Sequence, residues 1–349
     1  MITVLQPGVY TTIQDAGRIG YQRFGVPVAG AMDPFSYRLA NLLIGNSPDA
    51  AVLEMTAMGP SLCFEQDTVF ALAGADFSPK LNGSPIRPIG AGFAPAGSVL
   101  TLGTAQNGFR GYLAVPGGFD GEQVMGSRST YTKAGLGGLN GRALRKGDVL
   151  RMLEPQRPVP AHLEMRYALM ENMPFYRENT DAPAMVRVVL GPQDGYFSRE
   201  GLNAFFSETY TVTGESDRMG YRLEGPSIPR AEGMEGNILS DGVAFGSIQV
   251  PDSQKPIVMM ADRQTTGGYP KLGTVISADL CRMAQLRAGD TVRFSQVSLQ
   301  QAQEALLEQR HFLASLERLF ADRMLCRQDY RITVAGKHFS VEVMQVDSR

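Results

Sequence analysis

The sequence predicts a mainly β protein, built as two strand-rich halves followed by a tail of one helix and one hairpin. Three observations carry this prediction. Short apolar, β-branched runs recur from the first residues to about residue 297. The 39 glycines and 21 prolines are dispersed between those runs, which makes them turn punctuation and not a collagen-like or linker tract. From Leu299 the apolar period changes to a helical one.

The first half offers strands at 2–6, 51–56, 61–65, 68–73, 98–103, 112–117 and 148–153. One helix reads clearly there, at 35–45: Phe35, Leu39 and Leu42 or Leu43 share a face, Asp33 and Pro34 form a start, and Gly45 supplies a stop. Residues 154–182, rich in Pro, Glu, Arg and Met with weak periodicity, form the expected boundary. Strands resume at 185–191, 208–214, 246–251, 256–262 and 290–297. Near the end of each half lies a Gly-Asp turn between a basic and a β-favouring segment, ALRKGDVL (143–150) and QLRAGDTV (285–292), which hints at duplication. The helix from Leu299 should carry an apolar stripe of Ala305, Leu306, His311, Phe312, Leu316 and Leu319. The closing 330–346 alternates like a hairpin around Ala335 and Gly336, suited to edge pairing or docking. The expected domains are therefore 1–181 with its linker, 182–298, and the tail 299–349.

Composition excludes several functions. Lys and Arg number 33 against 35 Asp and Glu, a net charge of −2, so no broad cationic face exists to hold a nucleic acid. Three distant cysteines argue against a disulfide framework, and three histidines in linker or tail segments argue against a histidine zinc site or catalytic triad. No dedicated metal site is expected. With no export signal and no run of 18 apolar residues, the reading is a cytoplasmic chain without a membrane partner. Charged residues reach only 19% and Trp is absent, which is compatible with a surface partly covered by a partner.

Polar chemistry concentrates in three stretches. The first, TTIQDAGRIGYQRFGVPVAGAMD (11–33), carries Gln14, Asp15, Arg18, Arg23 and Asp33 on a segment bent by Gly and Pro; its polar groups serve equally as loop anchors or as a grip on a carboxylate or phosphate. The second, 109–144, opens after Pro116 into Gly117, Gly118, Gly126, Ser127, Arg128, Ser129 and Thr130, a potential anion nest that matches neither GxxxxGK[ST] nor GxGxxG. GSRS at 126–129 is not a GxSxG elbow, and no histidine lies in these stretches to activate a serine. The third pairs Ser216, Asp217 and Arg218 with ADRQTTGGYPK (261–271), where an apolar strand ends in a cluster of hydrogen-bonding groups. There Asp262 can orient an arginine or act as a base, Gln264, Thr265 and Thr266 can hold an amide or carboxylate, Tyr269 can cover a planar substrate, and Lys271 can neutralise an oxyanion. A polar network that only locks the second half is the competing explanation.

At QDAGRIG (14–20), GVPVAGAMD (25–33), YLAVPGGFD (112–120), GSRSTY (126–131), SDRMGYRLEG (216–225), GSIQVP (246–251) and ADRQTTGGYP (261–270), the chain resembles the allophanate-hydrolase-subunit-2, or biotin-dependent carboxyltransferase, family. The resemblance spans about residues 1–298 and is similar to the family's free-standing 5-oxoprolinase members. It implies tandem cyclophilin-like β-barrel domains with an accessory C-terminal helix and hairpin. It further implies ATP-dependent opening of 5-oxo-L-proline to L-glutamate, with ATP and Mg²⁺ activating the lactam oxygen by phosphorylation. The implied partners are the B-like and A-like 5-oxoprolinase subunits, of which the A-like one completes hydrolysis. Under that reading Arg128, Asp262 and Lys271 are catalytic. Arg18, Arg218, Gln264, Thr265, Thr266 and Tyr269 bind substrate, and Ser127, Arg128 and Ser129 hold the nucleotide. Two alternatives come with the family: transfer of carboxylate from carboxybiotin to urea or another amide, and a non-catalytic regulatory subunit that binds a kinase-inhibitor partner. The tail resembles the β-start of biotinyl carrier modules but has no AMKM-like biotinylation sequence.

Overall fold

The computed structural model describes residues 1–155, 182–321, 327–334 and 337–344. The expected boundary at 154–182 and the hairpin turn at 335–336 fall almost wholly outside them. Residues Met1–Leu306 form one compact unit and Leu307–Arg349 a second.

The first half divides its strands between two sheets. One runs in the order β11 (Val149–Leu150), β1 (Ile2–Gln6), β4 (Ser61–Phe64), β9 (Val99–Thr101), β6 (Lys80–Leu81), β7 (Ser84–Pro85). The other runs β2 (Tyr10–Gln14), β3 (Val52–Thr56), β10 (Asn107–Ala114), β5 (Thr68–Asp76), β8 (Gly90–Ala94). They share one core, with Val4, Phe64 and Leu100 from the first and Leu53, Phe70 and Leu113 from the second. Because side chains alternate along a strand, the opposite face of the second sheet carries Glu54 and Tyr112, directly paired across β3 and β10. Helix α1 (Pro34–Leu43) packs on β5 and β10. It starts as expected: the Asp33 carboxylate accepts from the Phe35 and Ser36 amides at 3.0 and 2.9 Å, with Pro34 in the first turn.

The second half closes a seven-stranded barrel, β12 (Ala184–Leu190), β19 (Lys271–Val275), β16 (Ser247–Gln249), β17 (Ile257–Met259), β14 (Gly220–Glu224), β13 (Thr209–Val212), β20 (Thr291–Gln296). The ring is completed by the parallel pairing of β12 with β20, which leaves no free edge. Phe205, on α2 (Arg199–Ser207), stacks on Phe294 at 4.6 Å inside this core. Met32 of the first half is buried in the same cluster, so the two halves share apolar contacts within one unit. A two-residue ribbon, β15 (Asp241–Gly242) with β18 (Thr266–Gly267), lies outside the barrel ladder.

The fold is thus mainly β, as expected, and the two Gly-Asp turns are built alike. Gly147 and Gly289 have φ of 87° and 91°. The Asp148 and Asp290 amides donate to Arg145 O and Arg287 O at 3.1 and 3.0 Å, while Gly147 N and Gly289 N donate to Val4 O and Val212 O at 2.8 and 2.9 Å. The same turn meeting the same kind of strand supports duplication more strongly than the sequence match does.

Two short helices escape the apolar-period reading: α2, capped by Ser198 at 3.0 Å from the Gly201 amide, and α3 (Leu280–Ala284). Strands β2, β8, β14 and β19 lie outside the expected runs, and β2 occupies part of the segment expected to be bent by Gly and Pro. Helix α4 (Leu299–Ala321) matches its expected start, but His311 is exposed and so does not belong to the stripe, whereas Ala305 and Leu316 are buried. In the tail, β21 (Arg327–Val334) pairs antiparallel with β22 (Lys337–Met344).

Candidate functional site

The polar face of the β2–β3–β10 sheet is covered by the second half, and the buried charges meet there. Arg218 donates Nε and Nη2 to the two carboxylate oxygens of Asp262, each at 3.0 Å, and its Nη1 is bonded to Glu54. Its Nη2 also reaches Gly30 O at 2.6 Å. Burial alone would lower the guanidinium's proton affinity, but Asp262 and Glu54 outweigh it and hold Arg218 above its ordinary value. Glu54 Oε2 further accepts from Met32 N and Tyr112 Oη, both at 2.8 Å. A second link runs from Asp33, whose Oδ2 accepts from Gln285 Nε2 at 2.8 Å, through Gln285 Oε1 to the Phe109 and Arg110 amides at 2.9 and 3.0 Å. Arg110 completes it, donating to Tyr221 Oη and, at 2.7 Å, to Ala284 O. Burial raises the pKa of Asp33 despite these donors.

Asp15 organises the two glycine-rich stretches. Its Oδ1 accepts from the Ser127 and Ser129 hydroxyls, both at 2.6 Å, and from Gly17 N at 2.8 Å, while Oδ2 takes the Arg128 amide. The nest read in 126–130 therefore exists, and it holds a carboxylate of the chain itself. The Ser127 and Ser129 hydroxyls and the Arg128 amide, donors expected to hold a nucleotide, are bonded to Asp15 in this structure. The Arg128 Nε lies 3.8 Å from Asp120 Oδ1. Arg18, 1% exposed, uses Nη2 on Ser129 O, and among the described residues its Nε and Nη1 have no partner. Burial lowers its proton affinity, opposed by Asp15 and Asp262.

The remaining expected residues gather on the barrel beside the ribbon. Gln264 Nε2 donates to Gln249 Oε1 at 3.3 Å, and Lys271 Nζ donates to Asp241 Oδ2 at 2.7 Å. Asp241 is held below the usual carboxylate range chiefly by that lysine. Thr265 contributes its carbonyl to Val243 N at 3.0 Å, Thr266 is exposed in the ribbon, and Tyr269 is 39% exposed. The structure thus joins Arg218 to Asp262 and Arg18 to Ser129, and sets Gln264, Thr265, Thr266, Tyr269 and Lys271 apart around Gln249 and the ribbon. Both oxygens of Asp262 serve Arg218, so Asp262 fixes the arginine.

Sequence reasoning missed Glu54, Tyr112, Gln249, Asp241 and Gln285. A signal existed for two of them: Glu54 interrupts the apolar VLEMT in the middle of its strand, and Gln249 interrupts GSIQVP at the end of its strand.

The carboxyltransferase domain family, subdomains A and B, matches residues 24–296. The chain belongs to this family. Among relatives of this carboxyltransferase-domain chain, the C subunit of Escherichia coli 5-oxoprolinase is 38% identical over 90% of this chain and 97% of its own length. The C subunit of the Haemophilus influenzae 5-oxoprolinase is 36% identical over 93% and 100%. The crystal structure of the K. lactis urea amidolyase superposes with a TM-score of 0.82 at 31% identity, covering 90% of this chain and 20% of that one. The family chain therefore spans about a fifth of the urea amidolyase. Among the described residues no helix is long and apolar enough to cross a membrane.

Proposed function

We propose that the chain is a subunit of a 5-oxoprolinase complex that opens 5-oxo-L-proline to L-glutamate with consumption of ATP. The observation that carries this reading is the match, at 36–38% identity, to essentially the whole length of two 5-oxoprolinase C subunits. The lettered designation of these relatives supports a complex with other subunits, in this reading a B-like and an A-like chain, and ATP carried with Mg²⁺ is the co-substrate the reading requires. The contribution argued for this chain is to bind and orient the lactam. Gln264 and its neighbours supply amide-recognising groups, and Arg18, with two unpartnered donors in a buried fork, suits the substrate carboxylate. Arg128, and Lys271 once released from Asp241, are the further cations for developing negative charge. The Arg218–Asp262–Glu54 cluster holds both halves of the site in register.

A second reading, carboxyl transfer from carboxybiotin to urea or another amide, draws support from the K. lactis urea carboxylase structure, superposed at a TM-score of 0.81. Reconstitution with purified B-like and A-like subunits separates the two. Glutamate and ADP formed together, only with 5-oxoproline, uphold the first; avidin-detectable carboxyl transfer to an amide without that reaction replaces it.

A further inference from the structure

Among the described residues, two buried polar atoms near the ribbon have no hydrogen-bond partner: Nε2 of Gln249 and Oε1 of Gln264. They belong to side chains already bonded to each other through their remaining amide atoms. Gln249 is 2% exposed, on a barrel strand whose three residues are all buried. An apolar side chain of similar size would fit such a position without the desolvation cost of an unmade hydrogen bond, about 1–3 kcal/mol for each group. The pair is costly for stability alone, so its explanation lies in what it can bind.

The unmet groups are one donor and one acceptor. A third amide that accepts from Gln249 Nε2 through its C=O and donates its N–H to Gln264 Oε1 would close a ring of three amides, each donating once and accepting once. Exchanging oxygen and nitrogen on both glutamines still leaves one donor and one acceptor, so the complementarity holds in either orientation. Closing the ring requires the ligand's N–H and C=O to lie on the same side. A lactam, a urea and a cyclic ureido group have that geometry; the trans amide of an ordinary peptide bond points them apart.

We infer that Gln249 and Gln264 form a subsite for a cis-amide edge, with Gly267 as the residue that keeps it open. A Cβ built on Gly267 would stand 2.4 Å from Gln249 Nε2, so any side chain there would fill the space against the donor. Gly267 lies in the β15–β18 ribbon, and Lys271, the cross-strand neighbour of Gln249, ties that ribbon down through Asp241. The ribbon borders the subsite, and the space left by the missing side chain of Gly267 is where a ligand reaches the two amides. This inference deepens the 5-oxoprolinase reading, on which its choice of lactam rests.

The test is ligand binding by calorimetry to the full chain, alone and combined with purified partner subunits. The probes are 5-oxo-L-proline, 2-pyrrolidinone, urea and biotin, with N-methylacetamide as the trans amide and L-proline as the ring lacking the carbonyl. At least one cis amide should bind, with the trans amide and L-proline at least about tenfold weaker, as expected for two lost hydrogen bonds. Gln249→Met, Gln264→Met and Gly267→Ala should each weaken the cis amide by about tenfold; if Gln249→Met does not fold, the other two variants decide. Unchanged affinity in the folded variants, equal binding of N-methylacetamide, or no cis amide bound by the wild type overturns the inference. Oxoproline turnover with an affinity indifferent to these variants leaves the 5-oxoprolinase reading standing and removes the subsite. Binding of urea or biotin in place of oxoproline, lost in the variants, does the reverse.

Discussion

Replacing Arg218 by methionine removes the cation bonded to both Asp262 and Glu54, two buried carboxylates. The loss is four hydrogen bonds: two to Asp262, one to Glu54 and one to Gly30 O. The carboxylates left behind are not equivalent. Glu54 keeps donors from Met32 N and Tyr112 Oη, whereas both hydrogen bonds to the Asp262 carboxylate come from Arg218. Breaking a buried pair from one side costs about 3–5 kcal/mol, and the Asp262 side should carry most of it. Asp262→Asn alone leaves Arg218 matched to Glu54 and should cost less, about 1–3 kcal/mol. The double variant Arg218→Met/Asp262→Asn should then be more stable than Arg218→Met, because the second change removes the stranded charge. Urea denaturation followed by far-ultraviolet circular dichroism measures all three, a suitable probe for a chain without Trp. Since Arg218 links residues of both halves, the methionine variant should also broaden the transition or split it in two. A cost below about 1 kcal/mol for Arg218→Met, or simple additivity in the double variant, would refute the reasoning.

Asp15→Ala should destabilise by about 2–4 kcal/mol, because it strands the Ser127 and Ser129 hydroxyls and the Gly17 and Arg128 amides together; equal stability in the same denaturation assay would mean the nest accepts water without loss. Asp148 grips Arg142 through two contacts of 2.8 Å, and that partner holds its pKa below the ordinary 3.8. A depressed folded-state pKa contributes stability that is present above the unfolded value and is lost as pH falls through the folded one. Asp148→Asn should therefore be less stable than wild type at pH 7 by about 1 kcal/mol, with the gap closing below pH 3.8; a gap constant from pH 7 to 3 would assign the effect to packing.

The residues legible in advance are those whose signal is local. Asp33 and Pro34 announce a helix because capping uses only the next few amides, and the Gly-Asp turns announce themselves because a turn is a four-residue object. The strand runs carry the mainly β class, and the long periodic helix from Leu299 is equally plain. Ser127 and Ser129 do converge on an anion, the Asp15 carboxylate, and nothing in 126–130 reports that Asp15 sits against them from 112 residues away. The sequence clusters Asp262 with Gln264 and Lys271, whereas the chain turns at Ala261 and Asp262 and sends Asp262 to Arg218 and Gln264 to Gln249.

The sequence by itself therefore determined the β class, the caps, the turns and which stretches are rich in polar groups, because these depend on side-chain alternation and on contacts a few residues apart. Only the tertiary structure decided which polar groups are spent on one another and which remain unmet. Glu54 and Arg218 are 164 residues apart, and their pairing follows from the polar face of one sheet being covered by the second half. Gln249 and Gln264 are near in sequence, yet the unmet edge they share exists only because barrel closure buries both amides and removes the water that would otherwise satisfy them.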